Sequence, residues 1–139
     1  MSALEFSVPG PPISAQSKNK PLLATWRAAV EAEAKKAAAA AGLAAPMTGS
    51  MRFVCVNYHE GNAPSLDDDN MVKPIRDVLQ GIVYANDKQI SDSSVRQTSI
   101  DGVAQFRRAS PVVALAFSKG DEFVYIKVEP APSHTKLLT

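Results

Sequence analysis

Strands are predicted where apolar and polar side chains alternate along the chain. Leu4–Val8 alternates strictly and predicts a half-buried strand, which the run Pro9–Pro12 ends because proline cannot donate to a strand ladder. Met51–Tyr58 contains several β-branched and aromatic residues and predicts a second strand. Three more strands are predicted, the last two joined by a hairpin loop, and they cover Val95–Ile100, Val112–Phe117 and Phe123–Val128.

Two helices are predicted between these strands. Leu22–Ala41 is rich in alanine, glutamate and lysine, which favour helix formation, and Gly42 ends it. The second helix covers about Asn70 to Gln80, where apolar residues recur at three- and four-residue intervals before Gly81. The order strand, helix, strand, helix and then three strands predicts an α+β fold.

The length and composition are those of one globular domain. The chain has 139 residues, of which 45% are hydrophobic and 21% charged, so a wholly disordered or fibrous protein is excluded. There is no apolar run of about 20 residues and no signal-peptide pattern, so a cytoplasmic protein without a membrane span is expected. We expect the domain to cover residues 1–129 and residues 130–139 to form a flexible tail.

Three carboxylates stand directly before the second helix, at Asp67, Asp68 and Asp69. One interpretation is helix capping, because aspartate accepts hydrogen bonds from first-turn N–H groups and suits the positive end of the helix dipole. The other is a metal site. In an extended stretch Asp67 and Asp69 point to the same face, and Mg²⁺ takes one or two carboxylates while keeping waters for substrate. This segment alone leaves both interpretations open.

Lys73 and Pro74 follow within the helix. Lys73 lies four residues after Asp69, so it is either one half of a surface ion pair or a cation that meets a phosphate near the metal. Proline is tolerated in the first turn of a helix but not deep inside it. Pro74 therefore predicts a helix start near Asn70 or Met71, with the acidic triplet in extended chain.

A fourth carboxylate, Asp87, follows the short apolar run Ile82–Tyr84. If the chain returns along a strand after the helix, Asp87 approaches Asp67 and Asp69. Otherwise it is an ordinary turn aspartate, a residue type that turns favour. The spacing alone does not decide between the two.

Together these residues resemble the core motif of the RusA-type Holliday junction resolvases. The resemblance rests on three pieces in this order: Asp67-x-Asp69-Asn70-x-x-Lys73, Asp77-x-Leu79-x-Gly81 and Asp87-x-Gln89-Ile90. The end of the first strand is also similar to the start of that family, with the residues Pro9-Gly10-Pro11-Pro12-Ile13-Ser14. Since the predicted helices and strands keep the family's order, the resemblance covers most of the chain.

The resemblance implies a homodimeric endonuclease that depends on Mg²⁺, with Mn²⁺ as the alternative ion, and resolves four-way DNA junctions by paired incisions. Such enzymes act in recombination and repair and are often encoded in prophages. The implied fold is a small α+β domain with a mixed sheet and two main helices. The implied metal ligands are Asp67, Asp69 and Asp87, and Lys73 is the fourth implied catalytic residue. The family often has a further acidic residue where this chain has Asn86.

The charge balance does not itself indicate a DNA-binding protein. The chain has 15 basic and 14 acidic residues, a net charge of +1, whereas proteins that bind DNA electrostatically usually have a larger basic excess. Any DNA contact must therefore come from local clusters. The candidates, each of which is otherwise an ordinary solvated charge, are Lys18, Lys20, Arg27 and Arg76.

Three other functions fit the residues. The chain could be a non-catalytic nucleic-acid-binding protein of the same fold, a nuclease for flaps or forks, or an interaction domain in which the acidic triplet only caps a helix. The intact set Asp67, Asp69, Asp87 and Lys73 argues against pure binding, because carboxylates that face a polyanion do not help to bind it.

Overall fold

The computed structural model describes residues 3–100 and 110–132. Of the tail expected over residues 130–139, only residues 130–132 are among them. Within these ranges no helix is both long and apolar enough to cross a membrane. The elements, in chain order, are β1 Leu4–Pro9, α1 Lys20–Ala40, β2 Met51–His59, α2 Asp68–Leu79, a 3₁₀ turn Asp87–Gln89, β3 Ile90–Ser99, α3 Pro111–Ser118 and β4 Phe123–Pro130.

The four strands form one mixed sheet in the order β1-β4-β2-β3. β2 and β3 run parallel, while β4 is antiparallel to both of its neighbours, β1 and β2. The α+β fold with a mixed sheet is therefore confirmed. The parallel pair matters for the site, because α2 connects β2 to β3 and thus lies against that half of the sheet.

Val112–Phe117 is helical, so the prediction of a strand there is wrong. α3 begins with Pro111 in its first turn, and the Ser110 side chain caps it by accepting a first-turn N–H at 3.3 Å. A short continuous apolar run fits a buried helical segment as well as a strand, and here the capping residues decide. Residues 118–121 therefore connect a helix to β4, and the described part of the chain has three helices rather than two.

Helices α1 and α2 cover one face of the sheet and form the main core with it. Met51, Phe53 and Cys55 of β2 point into this core and are almost fully buried. Burial raises the pKa of the Cys55 thiol to about 12, and the nearby negative charge of Asp68 adds to the rise. The helix side chains buried against them are Leu23, Trp26, Val30, Ala34, Met71, Val72, Ile75 and Leu79.

The opposite face of the sheet is covered by the short α3. Val113 and Ala116 pack against Phe123 and Tyr125 of β4. Next to this small cluster, β2, β3 and β4 form a shallow groove with polar and charged walls on the same face. Its lining residues are Arg52, Val54, Val56, Ser94, Arg96, Tyr125, Lys127 and Glu129.

Candidate active site

Helix α2 begins within the acidic triplet. Asp67 is the N-cap in extended conformation, and its Oδ1 accepts the Asp69 N–H at 3.2 Å. Asp68 and Asp69 already belong to the first turn, so the expectation that the whole triplet lies in extended chain is wrong. Capping is confirmed for Asp67, but it uses only one of that residue's carboxylate oxygens. The other oxygen and the whole Asp69 carboxylate remain available.

The carboxylates of the predicted site lack basic partners in the described part of the chain. Asp77 lies 3.5 Å from Lys73 and Asp92 lies 3.6 Å from Arg52. By contrast, no ion pair within residues 3–100 and 110–132 involves the three predicted ligands, and the Asp67 and Asp69 side chains are exposed. Exposed, uncompensated oxygens at the start of a helix fit Mg²⁺, which binds one or two carboxylates and retains water. The residues present therefore fit the implied metal.

Pro74 lies in the interior of α2, since the helix starts at Asp68. The prediction that it occupies the first turn is wrong. Proline has no N–H to donate to the carbonyl four residues earlier, which is that of Asn70. Instead, the backbone N–H of Ala15 donates to the Asn70 carbonyl at 2.9 Å. The proline thus frees a helical carbonyl that ties the loop between β1 and α1 to α2.

Lys73 lies on the exposed surface of α2, with 65% of its side chain accessible. It pairs with Asp77, four residues later, rather than with Asp69, four residues earlier. An exposed pair of this kind stabilises a helix by about 0.2–0.5 kcal/mol. The pairing is therefore weak enough for a phosphate to displace Asp77 from the lysine.

Asp87 lies at the opposite end of α2 from the acidic triplet. Its backbone N–H donates to Oε1 of Gln80, the C-cap residue of α2, at 3.0 Å. Ile82 and Val83 form a turn and Tyr84 makes only isolated β-bridges, so the chain does not return along a strand, and within one chain Asp87 stays near the C-terminal end of α2. A helix of 12 residues is about 18 Å long, which separates the two ends of the site.

The three predicted metal ligands do not come together in a single copy. Among the described residues, no group of three or more aspartate, glutamate, histidine or cysteine side chains is close enough to hold one ion. Asp67 and Asp69 lie together at the helix start, whereas Asp87 does not join them. The assignment of all three to one centre stays a prediction.

Three of the four candidate DNA-binding cations are exposed and clustered. Lys20 and Arg27 line a groove of about 340 Å³ at the start of α1, together with Ala15, the residue that bonds to α2. Within the described ranges Lys18, Lys20 and Arg27 have no acidic partner, unlike the lysines further along α1. Their charges are therefore available to a polyanion beside the N-terminal half of α2.

Arg76, the fourth candidate, is placed differently. Its side chain is half-buried, and the guanidinium lies over the Phe53 ring with 5.3 Å to the ring centroid. The Arg76 carbonyl accepts the buried Tyr84 hydroxyl at 2.8 Å. These contacts give Arg76 a structural role near the C-terminal end of α2. Its contact with DNA stays a prediction.

A family model described as Endodeoxyribonuclease RusA matches residues 14–105, about two thirds of the chain. The chain belongs to the RusA family. The matched region begins in the loop that bonds to α2 and includes α1, β2, α2 and β3, so it contains both aspartate-bearing segments. Membership of the RusA family supports an endodeoxyribonuclease and confirms the resemblance. No curated protein matches the chain significantly.

Gln89, a position of the RusA motif, holds the segment that carries Asp87. Its Oε1 accepts the N–H groups of Ala85 and Asn86 at 2.9 and 3.0 Å. Its Nε2 donates to the carbonyls of Met47 and Gly49 at 3.0 and 2.9 Å. One amide side chain therefore satisfies four backbone groups and links the turn around Asp87 to the segment that precedes β2.

Substitution Gln89→Ala is expected to destabilise the protein by about 2–3 kcal/mol. Four backbone hydrogen bonds lose their partner, and because three of them are exposed, each contributes toward the lower end of roughly 0.5–1.5 kcal/mol. Gln89→Glu is expected to be nearly as harmful, since it keeps the acceptor but replaces the donor with an oxygen that repels two carbonyls. Urea unfolding at neutral pH measures both changes. A loss below about 0.5 kcal/mol in both variants would contradict this account of Gln89.

The sequence interpretation missed two further polar residues near the start of α2, Asn57 and Gln97. Both point to the α2 side of the sheet, and the Asn57 Nδ2 lies 3.4 Å from the Gln97 Oε1. Gln97 in turn donates through Nε2 to the carbonyl of Leu66 at 3.0 Å. A signal was present in the sequence of β2. Its buried positions alternate with more exposed ones, and they change from apolar residues to the polar Asn57 and His59 at the end of the strand.

Proposed function

We propose that this RusA-family chain is a Mg²⁺-dependent endonuclease, active also with Mn²⁺, that resolves four-way DNA junctions by paired hydrolysis. The observation that carries the proposal is the pair of exposed carboxylates, Asp67 and Asp69, without basic partners in the described chain at the start of α2. Unpaired carboxylates are poor contacts for DNA unless a cation lies between them and the phosphate. They therefore support catalysis over simple binding.

Each residue of the site then has a chemical role. Asp67 offers the oxygen that capping leaves free, Asp69 offers both of its oxygens, and Asp87 is the third ligand. When bound, the metal supplies a more acidic water and neutralises charge on the scissile phosphate and the leaving oxygen. Lys73 leaves Asp77 to hold a phosphate oxygen, which stabilises the charge that develops there.

A homodimer completes the site in this proposal. In one copy Asp87 and the pair Asp67 and Asp69 lie at opposite ends of α2, a helix about 18 Å long. In a two-fold symmetric dimer every contact occurs twice, so a surface at one end of α2 can meet the other end of α2 in the partner copy. Asp87 of each copy then faces the acidic triplet of the partner, and two equivalent sites result. Two sites related by a two-fold axis suit paired cuts in a four-way junction.

DNA binding is assigned mainly to Lys18, Lys20 and Arg27. The net charge of +1 is unevenly distributed, since the cations near the far end of α1 are neutralised by Glu31 and Glu33. Lys18, Lys20 and Arg27, which have no ion pair in the described chain, lie beside the loop that is bonded to α2. A phosphate backbone bound there passes close to the helix that carries Asp69 and Lys73.

Cleavage of a labelled four-way junction with Mg²⁺, with Mn²⁺ and with EDTA tests the proposed reaction. We expect paired nicks with either ion and intact DNA with EDTA. Tight binding without cutting in both ions would favour the non-catalytic binding protein of the same fold. Cutting of flaps or forks but not of junctions would keep the metal-dependent nuclease and change its substrate.

A further inference from the structure

The backbone in front of Asp67 is held by a side chain from a distant part of the sequence. Gln97 of β3 donates through Nε2 to the carbonyl of Leu66, the residue directly before Asp67, at 3.0 Å. On the other side of the same residue, the Leu66 N–H donates to the Pro64 carbonyl at 2.8 Å. Leu66 also packs against the main core. The peptide that leads into the N-cap is therefore fixed relative to the sheet.

Gln97 is itself oriented by Asn57 on the neighbouring strand. The two residues are directly paired in the parallel ladder, and the Asn57 Nδ2 lies 3.4 Å from the Gln97 Oε1. This contact leaves the Gln97 Nε2 as the group that faces the Leu66 carbonyl. Asn57 is 1% exposed, and its Oδ1 has no hydrogen-bond partner in the described part of the chain.

An asparagine at this position is unfavourable for the fold taken alone. The preceding inward residues of β2, Phe53 and Cys55, are apolar and fully buried. A buried acceptor without a partner is destabilising, and an apolar residue of similar size would avoid it. The polar pair is therefore better explained by what it holds, which is the start of α2, than by core stability.

We propose that Gln97, oriented by Asn57, is a positioning residue for the metal ligand Asp67. The inference rests on the proposed function and extends it by two residues outside the motif. The amide of Gln97 fixes the Leu66 carbonyl without adding a charge beside the carboxylates. With the preceding peptide fixed, the Asp67 side chain caps α2 through one oxygen and keeps the other in place for the cation.

The test uses Gln97→Met, which keeps the length of the side chain and removes both hydrogen bonds. Loss of a group that orients a metal ligand typically reduces metal affinity by about 10–100-fold. We expect the Mg²⁺ concentration for half-maximal junction cleavage to rise by that factor, while the rate at saturating Mg²⁺ changes much less. Thr98→Val, on the other face of the same strand, is the matched control and is expected to leave the Mg²⁺ dependence unchanged.

A second variant, Asn57→Val, separates positioning from stability. It removes the unpaired acceptor, so we expect an equal or higher melting temperature together with a rise in the Mg²⁺ concentration for half-maximal cleavage, as for Gln97→Met. A lower melting temperature with an unchanged Mg²⁺ requirement would show a purely structural role and overturn the proposal.

Amide hydrogen exchange of the metal-free protein provides a readout that does not need cleavage. The Asp69 N–H donates to Asp67 Oδ1, so its protection reports the position of the Asp67 side chain. We expect faster exchange at Asp69 in Gln97→Met and no change in Thr98→Val. Equal exchange in both variants would overturn the positioning role. If the wild-type protein does not cut junctions, the proposed function fails, while the exchange result still decides whether Gln97 positions Asp67.

Discussion

Mixing Asp67→Asn chains with Asp87→Asn chains is expected to restore junction cleavage that neither variant shows alone. Each substitution removes a ligand charge but keeps the size of the side chain. Each should therefore reduce cleavage by more than the ~10–100-fold typical of residues that only orient ligands. In the proposed dimer each site takes Asp87 from one chain and the acidic triplet from the other. A mixed dimer therefore pairs the intact Asp87 of one chain with the intact Asp67 and Asp69 of the other. One of its two sites is then complete.

The mixture also predicts the size and the kind of the recovered activity. With random exchange of chains, about half of the dimers are mixed and each has one complete site, so about a quarter of the wild-type sites return. Because the second site of a mixed dimer is inactive, the product should be a single nick rather than a pair. Labelling both strands of the junction measures this difference directly.

Two controls make this result decisive. Asp67→Asn mixed with Asp69→Asn should recover nothing, because both substitutions affect the same end of α2. Asp68→Asn alone should keep its activity, since Asp68 is the one member of the triplet outside the motif. If the mixture of Asp67→Asn and Asp87→Asn chains stays inactive although differently tagged chains co-purify, the proposed site shared between two copies is wrong.

Replacing Lys18, Lys20 and Arg27 by alanine together is expected to weaken junction binding and its salt dependence. Each phosphate contact contributes about 0.9 to the slope of log K against log salt concentration, so three lost contacts lower the slope by about 2.7 per chain and by about 5.4 for the proposed dimer. Binding measured in EDTA at several salt concentrations gives this slope without cleavage.

The matched control removes the same charge elsewhere. Lys35, Lys36 and Lys127 are all ion-paired, and their triple alanine variant has the same net charge as the first variant. It should change the slope much less, because these charges are already neutralised by glutamates. Equal slopes for the two triple variants would mean that overall charge, and not the cluster beside α2, determines DNA binding.

Much of the fold follows from local sequence. The strand β1 and the end of helix α1 lie where the alternation of Leu4–Val8 and the glycine at position 42 place them. The start of α2 could not be placed in this way, because Pro74 is accommodated by a bond from Ala15, 59 positions earlier in the chain. The α3 segment was ambiguous because a buried helix and a buried strand share the same short apolar composition.

The site shows the same division between local and distant information. The spacing of Asp67, Asp69 and Lys73 identifies one segment of the motif, since it depends only on neighbouring positions. The turn at Ile82–Tyr84 keeps Asp87 at the far end of the helix, and no local pattern predicts that. Gln97 acts on a carbonyl 31 positions away, so its contribution appears only once β2 and β3 are paired.

The hydrogen bond between Ala15 and Asn70 has a consequence for where DNA would be cut. It joins the loop with the free lysines to the helix with Asp69, and neither partner can move far without breaking it. The distance along the DNA between the phosphate bound by these lysines and the hydrolysed phosphate would then be set by the folded protein. Because Pro74 has no N–H to compete for that carbonyl, the proline favours this bond, and the proposed spacing between the bound and the hydrolysed phosphate would depend on it.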